Sequence, residues 1–253
     1  MHLYGQYCPV ARAAEILADR WTVLIVRELL ADVNHFNELE RGLSHISRTL
    51  LAERLRRLEQ TGVLERRGGA RGKRTEYRLS PAGRELQPII DLFGEWGARW
   101  AFGTPRPNEL DPIILLWWMR RRVAFDRIPR RRVVIQFDFR GAPQRSYWLL
   151  IDHTDVSVCL KHPGFEVDVI LTADIAMFYQ VWLGRLSLVD AIRKNHVRLD
   201  GAPADSRALP TWFTWSPMAE TVRAAFADRR TPSHRATSTN SPSMKSSAAR
   251  IAS

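Results

Sequence analysis

The stretch Ser47-Arg-Thr-Leu-Leu-Ala-Glu-Arg-Leu-Arg-Arg-Leu-Glu-Gln-Thr-Gly62 constrains this chain more than any other, because its start, its end and its buried side can all be read locally. Ser47 is a good helix N-cap, Ile46 before it can staple onto Leu51, and Gly62 supplies the left-handed residue that stops the helix. The spacing predicts a helix of about four turns. Leu51, Leu55 and Leu58, at intervals of four and three, form its buried stripe, leaving Arg48, Thr49, Arg54, Arg56 and Arg57 on the rest of its surface. Two short strands are expected next, at residues 63–67 and 75–79, around the glycine-rich cationic tip 68–74.

The flanking segments are helical. Val10, Ala14 and Leu17 lead into Trp21, Leu24, Ile25 and Leu29 with a break near Asp19, and residues 37–43 read as a short helix. Ser80-Pro81 starts another as cap and first position, carrying Ile89, Ile90, Phe93, Trp96 and Trp100. Helix, helix, short helix, capped basic helix, basic hairpin and helix is the order of a winged helix-turn-helix. Particular strings carry a closer likeness: Cys8-Pro-Val10, Arg20-Trp-Thr-Val-Leu-Ile-Val-Arg-Glu-Leu-Leu30, Phe36-Asn-Glu-Leu39, Ile46-Ser-Arg-Thr-Leu-Leu-Ala-Glu-Arg-Leu55, Gly62-Val-Leu-Glu-Arg66, Glu76-Tyr-Arg-Leu-Ser-Pro-Ala-Gly83 and Glu95-Trp-Gly97. Over residues 8 to about 103 the chain resembles the HxlR family of regulators. The resemblance implies a homodimer held by the terminal helices of the domain and seated on a palindromic DNA operator.

On that reading Ser47, Arg48 and Thr49, first in the recognition helix, reach base edges, while Arg56 holds the backbone and Arg71, Lys73 and Arg74 on the wing add affinity and salt dependence. The formal charge of +11, from 38 cationic and 27 anionic side chains, suits a polyanionic partner. Its excess, however, lies in residues 105–150 and in the C-terminal tail, and residues 1–104 are nearly balanced, so a DNA-binding face there must be a local patch.

Pro105, Pro107 and Pro112 mark a linker at 105–112. Beyond it residues 113–228 read as a second domain: a helix at 112–125, alternating strands at 133–139, 147–151, 156–160 and 167–171 taken as one antiparallel sheet, a helix bearing Ile175, Phe178, Trp182 and Leu186, a helix capped by Ser187, a strand at 197–201 and a last helix at 204–213. Its strings Thr172-Ala-Asp174, Gly184-Arg-Leu-Ser187 and Val197-Arg-Leu-Asp-Gly201 are similar to the sterol carrier protein type 2 fold, whose members enclose an apolar tunnel for lipids. The fold class expected is therefore α+β: a winged helix-turn-helix, then an α/β sandwich-like domain with an antiparallel sheet and packed helices, then a disordered basic tail at 229–253.

Six of nine tryptophans follow the linker, and Trp117, Phe178 and Trp182 are candidates to line a pocket for a small apolar ligand, against the ordinary reading of aromatic residues as core. Cys8, before the first helix, is a candidate redox sensor, since a thiolate at a helix N-terminus is stabilised; a free cysteine is also commonly a small buried hydrophobe. Arg120-Arg-Arg122 and Arg130-Arg-Arg132 either extend a DNA footprint or solvate a surface. His153, Cys159 and His162 match no tight metal spacing, so no metal or cofactor is expected.

With two distant cysteines, no signal-peptide pattern and no apolar run of membrane length, a cytoplasmic protein with no membrane insertion is expected. No glycine-rich phosphate loop, nucleophile elbow or paired-carboxylate site occurs, so an enzyme is not expected. The expectation is a ligand-responsive DNA-binding regulator. The alternative is a carrier of apolar ligands whose winged helix serves dimerisation.

Overall fold

A computed structural model describes residues 3–68, 74–143, 146–153 and 155–230. Helix α1 (Pro9–Leu17) and α2 (Thr22–Leu30) are separated at Trp21, whose φ of 80° turns the chain where the break near Asp19 was expected. Helix α3 (Phe36–Gly42) and α4 (Arg48–Gln60) follow, then the hairpin β1 (Leu64–Arg67) and β2 (Glu76–Leu79), antiparallel with Leu64 opposite Leu79. Ile25, Val26, Leu29, Leu39, Leu51, Leu55, Leu58, Leu64 and Leu79 form one buried core. Each leucine taken fully from water contributes roughly 1.5–3 kcal/mol, so the three-four spacing of α4 is what fastens it to the domain.

The single helix expected from Ser80 is two. Helix α5 (Pro81–Arg84) stops, and α6 (Gln87–Trp96) restarts with Pro88 in its first turn before closing in a π-helical turn at Gly97–Ala101. Proline lacks the N–H and crowds the carbonyl four residues back, so the helix cannot run through it and begins again around it. The linker holds one 3-10 turn at Pro107–Glu109.

Helix α7 (Pro112–Arg120) starts the second half; the capping carboxylate of Asp111 accepts from the Ile113 amide at 2.8 Å. It ends earlier than the expected 125, because Val123 and Phe213 form an antiparallel bridge and the Ala124 amide donates to the Trp212 carbonyl. Strands β3 (Val133–Arg140), β4 (Ser146–Asp152), β5 (Asp155–Cys159), β6 (Val169–Asp174) and β7 (Val197–Gly201) form one sheet in the order β5-β4-β3-β6-β7.

The sheet is mixed, not antiparallel as expected, since β6 runs parallel to β3. After β5 the chain crosses to the other side of β3 and enters β6 in the same direction. Alternation of apolar residues reports which side chains face the core, and turn residues report a change of direction; neither says beside which strand the chain re-enters. Helices α8 (Ile175–Trp182) and α9 (Leu188–Arg193) occupy the β6–β7 connection, capped by Asp174 and Ser187. The last expected helix divides into α10 (Pro203–Ala208) and a 3-10 turn at Leu209–Thr211.

Helix α11 (Ala219–Arg230) was not expected. Val222 and Ala225 bury against Ala98 of the π-helical turn, with Phe102, Met218 and Phe226 packed around them. Among the described residues the second half thus packs on the first through α7, which lies against α3, and through α11, which lies against the end of α6. Residues 231–253, including nearly all of the expected tail, lie outside the described residues.

Candidate nucleic-acid interface

Residues 47–49 stand at the exposed start of α4, and the cap that presents them forms as the sequence predicts: Ser47 Oγ accepts from the Leu50 amide at 3.2 Å. Replacing Ser47 with alanine should lower stability by about 1 kcal/mol, read as a shifted denaturant midpoint with unchanged slope. Gly62 ends the helix at φ 74°, and the Ser80 hydroxyl donates to its carbonyl at 2.6 Å, tying the far end of α4 to the exit of the hairpin.

The arginines of α4 divide into two sets. Arg54 and Arg57 turn inward: Arg54 Nε donates to the Arg20 carbonyl at 3.3 Å, and Arg57 pairs with Asp19 and donates to the Glu15 carbonyl. They fasten α4 to the α1–α2 junction. Arg56 is exposed, and its Nε donates at a long 3.4 Å back to the Ala52 carbonyl of its own helix.

Arg48 is also exposed, yet held. It pairs with Glu40, donates to Asn37 Oδ1 at 3.3 Å and stacks over Phe36 with 4.8 Å between guanidinium carbon and ring centre. The partners, all on α3, lie eight to twelve positions earlier and across the turn between the two helices, and the sequence carried no local signal for them.

The wing is anchored at its base. The Tyr77 amide donates to the Asn34 carbonyl at 2.8 Å, and His35 Nδ1 meets the Thr75 carbonyl at 3.1 Å. Arg78 holds the Glu76 carboxylate below the usual range by a direct hydrogen bond. Arg74 is exposed where the tip rejoins the hairpin, whereas Arg71 and Lys73 lie outside the described residues. Cys8, half-buried, occupies the N-cap position of α1 without capping it through its side chain. Farther along that helix the Tyr4 amide, reaching in from the preceding segment, and then Arg12 hold the Glu15 carboxylate low, outweighing the opposite effect of burial.

Of the three candidate pocket residues, the fold brings two together. Phe178 is wholly buried, 5.4 Å from Phe139 and 6.0 Å from Phe137 between ring centres, and Trp182 packs 6.4 Å from Trp215 in the same core. Trp117 is elsewhere. It is sandwiched between Arg120 of its own helix, at 3.9 Å, and Arg41 of α3, at 5.3 Å, so it belongs to the contact between the halves.

Beside it Glu28, with a side chain only 3% exposed, accepts from Arg27 at 2.8 Å and from Arg121 at 3.0 Å, and Arg120 reaches Glu38 at 3.3 Å. Burial there pushes the Arg120 guanidinium down from its ordinary value. The first two members of the 120–122 run are thus engaged between the halves, and Arg122 Nε donates to the Trp215 carbonyl at 2.9 Å. Arg131 and Arg132 of the other run pair with Asp168, Asp205 and Asp152. Among the described residues no group of three or more metal-ligating side chains occurs, and no helix is long and apolar enough to cross a membrane.

Residues 16–104 match the HxlR-like helix-turn-helix family. An HTH-type transcriptional regulator of Mycobacterium tuberculosis is 41% identical over 107 residues, 42% of this chain and 65% of the relative, so the chain spans a little under two thirds of that protein. The HTH-type transcriptional regulator YvaP of Bacillus subtilis is 37% identical over 98 residues, which cover 38% of this chain and 91% of YvaP. The solved structure of the reduced transcriptional regulator YodB from B. subtilis shares 31% identity over 38% of this chain and 95% of its own, with a TM-score of 0.33.

Proposed function

Through residues 16–104 the chain belongs to the HxlR-like helix-turn-helix family, and from that premise we propose that it is a cytoplasmic transcriptional regulator that binds a palindromic operator as a homodimer. The observation that carries this reading is the start of α4, where a formed cap holds Ser47, Arg48 and Thr49 out, while Arg54 and Arg57 of the same helix are engaged internally and Arg56 stays exposed. A helix N-terminus inserted in the major groove directs its first side chains to base edges and its amides to phosphate. Arg56 and the wing cations Arg71, Lys73 and Arg74 then meet the backbone.

The two half-sites require two copies, and the apolar side of α6 supports the homodimer. Ile89, Leu92, Phe93 and Trp96 are exposed on it and Trp100 on the π-helical turn that continues it; Leu3, Tyr4, Tyr7 and Val10 near the N-terminus are exposed as well. The order α7, β3, β4, β5, β6, α8, α9, β7 supports a sterol carrier-like second domain acting as a sensor of a small apolar ligand, with Phe178 and Trp182 at the aromatic core such a ligand would enter and Trp117 at the contact that would report it. Cys8 is the residue through which an oxidant would act in the same scheme. The carrier alternative is not favoured, because the relatives over the winged helix are named as transcriptional regulators.

The test is a titration of the purified protein against DNA from upstream of its own gene and against scrambled DNA at about 150 mM salt. Binding tighter to the first by about 10³-fold or more is expected. Arg48→Ala should erase most of that ratio. Arg56→Ala should weaken both DNAs alike and reduce the salt slope by about one. Equal, weak, salt-sensitive binding to both by the wild type would count against the reading.

A further inference from the structure

Arg48 is held in a way that an exposed side chain does not ordinarily require. Its guanidinium is fixed from three directions by α3: a carboxylate from Glu40, an amide oxygen from Asn37 and the ring of Phe36. The side chains of Arg48 and Glu40 remain 62% and 29% exposed, so the pair is wet and contributes little to holding the fold together. It also sets an anionic group on the very surface that the reading above turns toward phosphate, where a carboxylate is unfavourable for binding of any sequence.

We propose that Glu40 is a specificity-determining residue, which with Asn37 and Phe36 holds Arg48 in one orientation so that it reads a guanine edge. This rests on the DNA-binding role just argued. The donor inventory permits it. A guanidinium carries five N–H groups; one on Nη1 goes to Glu40 and one on Nη2 to Asn37, which leaves a second hydrogen on each and the Nε–H. A bidentate contact to guanine O6 and N7 needs two of those three.

Fixing the side chain before binding removes rotamer freedom that would otherwise be lost on the DNA, and the gain is realised only where the base accepts both bonds. The carboxylate meanwhile disfavours every complex equally through its charge. The combined effect is discrimination in place of affinity, the usual form of specificity obtained partly by repulsion.

The experiment is selection of bound duplexes from a random-sequence library, with sequencing of what is retained, for the full-length wild type, Glu40→Gln, Asn37→Ala and Arg48→Ala. Glutamine keeps the shape of Glu40 and removes its charge, and thermal melts of all four proteins verify folding. The wild type should enrich a guanine at one position of each half-site, and Arg48→Ala should lose that preference alone.

Glu40→Gln should reduce the same preference by a factor of about 5 to 150 while its binding to scrambled DNA becomes tighter, and Asn37→Ala should reduce it by less. Undiminished guanine preference in Glu40→Gln would overturn the proposal. So would tighter binding to all sequences with the preference intact, which would make Glu40 a mask over Arg48. If the wild type enriches no motif, the DNA-reading role itself fails, an outcome distinct from a motif that Glu40→Gln leaves unchanged.

Discussion

Changing Trp96 and Trp100 together to glutamate should convert the protein to monomers and weaken its binding to a two-half-site operator by about 10² to 10⁴-fold, the advantage that linking two modest binding events provides. The reason lies in what surrounds α6. One side of the helix is closed by α11 and by Met218 just before it, whose side chain stands where one at Gly94 would begin. On the other side Leu92, Phe93, Trp96 and Trp100 are each between 60% and 68% exposed. An exposed apolar surface of that kind marks a place where something binds, and two-fold symmetry lets a second copy supply the matching surface. Two buried glutamates facing their own images would repel as well as desolvate. Sedimentation velocity gives the oligomeric state and a binding isotherm on one and on two half-sites gives the rest; an unchanged dimer, or a wild type already monomeric at micromolar concentration, would refute the assignment.

Glu28→Ala is expected to have the largest effect on stability, about 3 kcal/mol in urea denaturation, at the lower end of the range for breaking a buried ion pair. The lower end applies because the two guanidinium groups differ. Arg27 is 39% exposed and returns to water when the carboxylate goes, whereas Arg121, which caps the end of α7, is 22% exposed and has a buried Nη1 with no partner among the described residues. Packing adds to the loss, since the Glu28 carboxylate lies so close over Gly42 that a side chain there would begin only 2.7 Å from it. Adding Arg121→Ala to Glu28→Ala should cost less than Arg121→Ala alone, because the partner left unpaired has been removed with it. Strictly additive losses would mean that the two residues do not act as a pair.

What could be read from the sequence was what is decided within a few residues. The cap at Ser47, the stop at Gly62 and the leucine stripe of α4 each depend on neighbours no more than four positions away, and all three are where the pattern puts them. Pro88 is an equally local signal, but the apolar spacing from Ile89 to Trp100 reads as the continuation of one helix and conceals the break. The direction of β6 was beyond reach, being settled by which side of β3 receives the chain after β5.

Helix α11 was within reach through Val222, Ala225 and Phe226, but its small residues make a weak stripe without the groove they fill. The site shows the same division. Arg48 was legible as a first-turn residue of a basic helix, whereas its grip by Glu40 depends on two helices meeting across a turn. Trp117 drew attention as an aromatic in a ligand-sized domain, and its actual neighbours, Arg41 and Arg120, come one from each half of the chain.

Along the chain, the contacts that α7 and α11 make on the first half fall one before and one after the break between α5 and α6. Helix α7 presses on α3, the helix that holds Arg48 of α4; α11 presses on the end of α6, beside the exposed tryptophans. A body attached at one point can swing, but one attached at two behaves as a brace, and a brace set across a joint fixes its angle. If the stripe on α6 is the two-fold contact, that angle sets how far apart two copies of α4 stand. The length of the second domain between its two footholds is then the gauge against which the spacing of the half-sites is cut.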